Sequence, residues 1–171
     1  MKKHNITPTD KEIVLDEDSF IISKTDLKGK ITYCNRVFSH IAGYEEAELL
    51  GQPHNIVRHP DMPRTVFAML WDSLKAGDEF FGYVKNMAKN GDYYWVAATA
   101  SQVYEADGSI AGYYSVRRKP SAEALAVIIP LYAEMKAIEE QHKGRDAIEA
   151  ATQFLLEKLG KTSYEEFAFS L

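Results

Sequence analysis

Between positions 54 and 63 the chain reads HNIVRHPDMP, with two histidines, an arginine, an aspartate and two prolines in ten residues. Residue types this dense suit a catalytic loop, a metal site, a clamp on a cofactor, or a polar helix start with no chemistry. Imidazole ligates both haem and metal ions, which makes His54 and His59 candidates for either. A structural metal site is poorly supplied, because no HxxxH pair and no carboxylate cluster accompanies them. The single cysteine, Cys34, excludes an intrachain disulfide and a cysteine-built zinc site. No nucleophile–base pair and no dinucleotide-binding glycine pattern stands out, so an enzyme is not indicated. The plainest reading is structural: Asp61 caps a helix, with Arg58 as its surface partner.

The segment sits between elements that can be read from their periodicity. Residues 20–25 and 30–34 are short β-rich runs joined at Lys28-Gly29. RVFSHIAGYEEAELLGQ then gives two brief helices, broken by Gly43 and Gly51, the second begun by acidic residues. A helix is predicted from about 62 to 76, with Val66, Met69, Leu70, Ser73 and Leu74 on one stripe widened by Phe67 and Trp71. Asp61 is its expected N-cap, Pro63 suits its first turn, and Gly77 ends it. Three β-runs follow, separated by Asn90-Gly91, read as a type I′ turn, and Asp107-Gly108. Beyond 120 the composition turns helical. One helix is expected to kink at Pro130 and to present Leu125, Ile128, Ile129 and Tyr132; after Gly144 a second presents Ile148, Ala151, Phe154, Leu155 and Leu159.

Whole-chain properties narrow the function class. An apolar fraction of 46% over 171 residues permits one packed core, and the formal charge of −5 lacks the basic stripe of a nucleic-acid surface. Acidic residues gather near the N-terminus and in the last third. No run approaches the roughly 20 apolar residues that span a bilayer, and the start lacks a signal-peptide core. The expectation is a soluble cytoplasmic protein with a loosely ordered lead-in over 1–18, a domain over 19–120 and a helical tail over 121–171.

The order of elements resembles a PAS domain, and DLKGKITYCNRVFSHIAGYEEAELLGQ resembles the general PAS opening. HNIVRHPDMP, LWDSLKAG, VKNMAKNGDYYWV and GYYSVRRKP together resemble the FAD-binding branch of the aerotaxis-receptor type. Without membrane spans, a HAMP module or a signalling coiled coil, the arrangement is similar to stand-alone energy-taxis sensors of the CetB type. The resemblance implies an α+β PAS fold: a five-stranded antiparallel sheet, small helices on one face, and a C-terminal helical tail. It implies FAD as cofactor and a redox sensor that signals in trans to a membrane-bound chemotaxis transducer, with self-association allowed and no membrane insertion of its own.

Within that resemblance, Arg58, His59 and Asp61 match the motif tied to FAD binding. Arg58 offers a planar, always-charged fork to pyrophosphate oxygens, while Pro60 and Pro63 limit backbone freedom. His54 holds the place of the reactive cysteine of light-sensing LOV domains, and Cys34 lies elsewhere, so LOV photochemistry is not expected. Haem-binding PAS domains usually carry a histidine on the helix before the third strand, and none is present there. Asn35 either meets a flavin edge or starts the following helix. Trp71, Phe80, Phe81 and Trp95 are candidate flat walls, and many relatives of this type carry tryptophan where Phe80 stands. Asn86 is expected on the cofactor side of its strand, opposite Lys85 and Met87. The alternative functions are a cofactor-free PAS module for interaction or dimerisation, and a haem sensor.

Overall fold

In the computed structural model, which describes residues 6–160 and 162–171, five strands form one antiparallel sheet in the order β2-β1-β5-β4-β3. The strands are β1 (Ile21–Thr25), β2 (Ile31–Cys34), β3 (Phe80–Met87), β4 (Tyr93–Tyr104) and β5 (Ile110–Arg118). Consecutive strands pair as hairpins, and the insertion between β2 and β3 carries α1 (Arg36–Ala42), α2 (Glu46–Leu49), a 3-10 turn (His54–Val57) and α3 (Arg64–Ala76). These helices lie on one face, so strand residues of one parity, such as Ile21, Val84 and Val96, are buried beneath them.

The expected type I′ turn at Asn90-Gly91 is replaced by a three-residue loop. Ala88 N–H donates to Asp92 O (2.8 Å), Gly91 N–H donates to Ala88 O (2.9 Å), and only Gly91 has positive φ (94°). Type I′ needs two such residues, and Asn90 is not one. The β1–β2 and β4–β5 hairpins close with the same bond pattern, at Gly29 and Gly108. Gly91 is further confined because a Cβ there would lie 2.2 Å from Thr7 O. That contact belongs to the lead-in, which docks rather than hanging loose. Thr9 N–H donates to Gly91 O, Ile13 N–H donates to Tyr93 O, and Leu15 is buried. The segment occupies the stretch of β4 that β5 does not reach. Met1–Asn5 lie outside the described residues.

The predicted cap of α3 is also corrected. Pro63 is the N-cap and makes no side-chain bond, while Asp61 faces Lys85. The N–H groups of the first turn, which have no partner within the helix, are met instead by the buried carboxylate of Glu139, which accepts from Arg64 N (3.0 Å), Thr65 N (2.8 Å) and Thr65 Oγ1 (2.8 Å). Glu139 belongs to the tail: α4 (Ala122–Gln141), α5 (Gly144–Leu159) and α6 (Tyr164–Phe169). α4 runs through Pro130 as one helix, and its buried face is Ile128, Leu131, Tyr132 and Met135; Ile129, expected on that face, is exposed.

The tail folds back on β3, the edge strand. There the outward N–H of Tyr83 donates to Tyr164 Oη (3.3 Å), and Tyr132 Oη donates to Tyr83 O (2.7 Å). The two hydroxyls bond each other, closing a ring in which every donor has an acceptor. A sheet edge left bare would template pairing with another chain, and here two tyrosines satisfy it. Gly82 is required beside them, since a Cβ would come within 2.7 Å of Tyr164 Oη.

Candidate functional site

Between the sheet and the inserted helices lies a cavity of about 220 Å³. Its floor is Val84 of β3 with Ala98 and Ala100 of β4, and the two alanines leave space where larger strand residues would fill it. Phe67, Leu70, Trp71 and Leu74 of α3 form an apolar wall, with Trp71 edge-on to Tyr113 of β5 (5.2 Å between ring centroids). Three cations line it, Lys28, Arg58 and Arg117, and no Asp or Glu does. An apolar slot with cations and no acid suits a flat, anionic ligand.

The two-residue alternation of extended backbone divides the 54–63 motif. Arg58 bridges to Asn86 as strand partners do, which puts both side chains toward the cavity and sends His59 and Lys85 to the other side. The Arg58 guanidinium lies 4.3 Å over the Phe67 ring and donates to Met62 O (3.3 Å). His59 is buried, its Nδ1 accepting from Asp61 N–H (3.1 Å), and Asp61 accepts from Lys85 Nζ (2.7 Å). Burial opposes ionisation of Asp61, but Lys85 outweighs it and holds the carboxyl below its usual range. Burial, with Lys85 second, lowers the His59 imidazole. His59 and Asp61 thus brace the loop that presents Arg58, and neither lines the cavity.

His54 does line it. Its Nε2 lies 3.1 Å from Ser23 Oγ and its ring stacks on Phe38. Burial first, and Arg117 second, lower its imidazole to about 3, so it is neutral at physiological pH. Of the other sequence candidates, Trp71 and Asn86 also line the cavity. Asn35 lies outside it: its oxygen accepts from Ile22 N and Phe38 N, and its amide donates to Phe20 O. Phe80 is fully buried and stacked on Tyr164, Phe81 meets Phe169, and Trp95 packs on Tyr132. Those three aromatics hold the tail. Cys34 is buried beside Ser39 and is not at the cavity. No group of three or more His, Cys, Asp or Glu among the described residues is placed to hold a metal ion.

Sequence reasoning missed Arg117, which β5 carries into the cavity at 2% exposure. Its Nη2 donates to Ser23 Oγ, while Nε and Nη1 have no protein partner; the Thr25 hydroxyl, also at the cavity, has none either. The only available signal was the basic pair Arg117-Arg118 ending a strand, and alternation alone does not tell which of the two points inward.

Sheet order, inserted helices and cavity are those of a PAS sensor fold, and the sequence matches the PAS fold family over residues 31–117. The chain belongs to that family. It is 44% identical over 139 residues to the aerotaxis receptor of Escherichia coli (strain K12), covering 80% of this chain and 27% of the receptor. It is 32% identical over 95 residues to the biofilm dispersion protein BdlA of Pseudomonas aeruginosa, covering 54% of this chain and 22% of that protein. The chain thus spans about a quarter of the length of these relatives. Among solved structures, a light-oxygen-voltage domain studied with a flavin analogue superposes with a TM-score of 0.57 at 20% identity, over 65% of this chain and 83% of that one.

Proposed function

We propose that this chain is a redox-sensing module of the aerotaxis type, which holds FAD between its sheet and inserted helices and signals in trans to a membrane-bound chemotaxis transducer. The observation that carries the reading is the cavity itself: apolar walls, a floor opened by alanines, three cations, no acid, and buried donors with no protein partner. The 44% identity to the aerotaxis receptor supports the taxis context, and the motif resemblance supports the flavin. A cavity of about 220 Å³ is smaller than pockets that enclose a whole drug-sized ligand, about 300–1,000 Å³. The cavity would hold the ring system, and exposed Lys28 and half-buried Arg58 would hold the pyrophosphate.

When bound, the flavin ring supplies reversible electron acceptance. The chain's own residues do the rest: Trp71 and Phe67 flank the ring, Asn86 and Thr25 offer polar atoms to its edge, and Arg58 takes the phosphates. Output would run through α3, which walls the cavity along its length and is held at its N-terminus by Glu139 of the tail. A partner must prefer one redox state for anything to be signalled. A module that binds nothing would leave two of the three Arg117 guanidinium nitrogens without a protein acceptor, which weighs toward a ligand in the cavity.

The purified chain, titrated with FAD, is expected to show flavin absorption that survives gel filtration, with less retained by Arg58→Ala. Absence of colour after FAD addition, or a Soret band in its place, would sink the reading.

A further inference from the structure

Arg117 is the deepest charge in the cavity. It is 2% exposed, its guanidinium carbon lies 4.6 Å over the Phe38 ring, and a single one of its three nitrogens has a protein acceptor. That acceptor, Ser23 Oγ, takes its hydrogen bond from Arg117 Nη2 and also pairs with His54 Nε2, 3.1 Å away. The chain Arg117, Ser23, His54 carries one positive charge, because His54 stays neutral. Burial lowers the Arg117 guanidinium to about 10, which leaves it charged at neutral pH. Leaving two donors of a buried cation unmatched is costly unless a ligand or water in the cavity matches them, and no acid among the lining residues does.

We propose that Arg117, anchored by Ser23 and His54, is the electrostatic partner of the negative charge that reduction places on the bound flavin, and so sets the potential at which this sensor switches. The proposal rests on the cavity being a flavin site. Arg117 meets a charge that arises when the oxidised ring takes two electrons and one proton, which leaves one negative charge on its N1–C2=O edge. A quinol donor gives both electrons and that proton, and releases its second proton to water. The oxidised ring is neutral, so a fixed, buried cation beside it favours the reduced form selectively. Lys28 and Arg58 stand at the rim, beside phosphates whose charge does not change with redox state. They hold either form alike.

The test is a dye-coupled reductive titration of the FAD-loaded chain, comparing wild type with Arg117→Gln, Arg117→Lys and Ser23→Ala. Arg117→Gln is expected to weaken reduced FAD relative to oxidised FAD by at least tenfold, read as a fall in midpoint potential of about 30 mV for each factor of ten. Arg117→Lys keeps the charge and most of the potential; Ser23→Ala shifts it in the same direction by less. An unchanged potential in Arg117→Gln overturns the proposal, as does an equal loss of affinity for both forms, which would make Arg117 a general contact. Should circular dichroism show Arg117→Gln unfolded, Ser23→Ala decides alone, and an unshifted potential there overturns it. Failure of wild type to take up flavin is a separate result, and defeats the site reading itself.

Discussion

His54 shows how little a residue's type determines its role. A histidine in a cavity suggests a ligand or a proton carrier, yet burial and the adjacent Arg117 lower this one to about 3 and remove its charge. What remains is a hydrogen-bond partner for Ser23 and a flat face for Phe38. The consequence for stability has a definite sign. In the unfolded chain the imidazole takes up a proton below about pH 6.5, whereas in the folded chain it resists until about 3. Stability is therefore lost as pH falls through that window, by at most about 1.4 kcal/mol per pH unit and less where solvent reaches the cavity side of the ring. Urea denaturation between pH 4 and 7 should show a shallower decline for His54→Asn than for wild type. Comparing the two removes the contribution of His59, which burial and Lys85 depress in the same direction. Parallel curves would contradict the assignment.

At the level of elements, the informative contact joins α3 and α4. An isolated α3 would begin at a proline with no side-chain cap, and the first-turn donors would need water. Glu139 supplies both carboxylate oxygens to them from a helix 74 residues further along the chain. Glu139→Ala leaves these buried donors unmatched, and is expected to cost about 3 kcal/mol, since hydrogen bonds to a charged group are worth roughly 1.5–3 kcal/mol net. The urea midpoint should fall with the slope unchanged, and Glu139→Gln should recover part of the loss. A stability within about 0.5 kcal/mol of wild type would show that solvent caps α3 just as well. The same contact ties the cavity wall to the tail, as does the Ser73 hydroxyl of α3, which donates to Glu165.

Taken whole, the molecule is a sheet with a binding slot on one face and a tail locked to its β3 edge. No helix among the described residues is long and apolar enough to cross a membrane. Occupation of the slot should stabilise the entire unit, because a ligand that binds only the folded chain adds RT ln(1 + [L]/Kd). At a hundredfold excess over Kd this is about 2.7 kcal/mol, or a rise in Tm of about 5–10 °C for a domain of this size. Scanning fluorimetry across an FAD series measures it. For the chain first freed of flavin, a Tm independent of added FAD would argue against a flavin slot.

The order of strands and helices was legible in the sequence because it rests on local chemistry: alternation in β3 and β4, the stripe of α3, and glycines where the chain turns. Trp71 and Asn86 could be set on the cavity side from the helical stripe and the strand alternation, whereas Arg58 and His54 were singled out by the resemblance of their motif; all four line the cavity. What the sequence left open depended on distant partners. Phe80 and Trp95 are aromatic and buried as expected, but whether they wall a cofactor or seat a tail depends on where α4 and α6 dock. Asp61 has the type and place of a helix cap, yet Lys85 takes it and Glu139 does the capping. Arg117 is invisible as a site residue until β5 is set between β1 and β4, because only that pairing buries its charge beside Ser23 with two donors unmet. Local periodicity determines which way a side chain faces; only the packed sheet and its helices determine what it meets there.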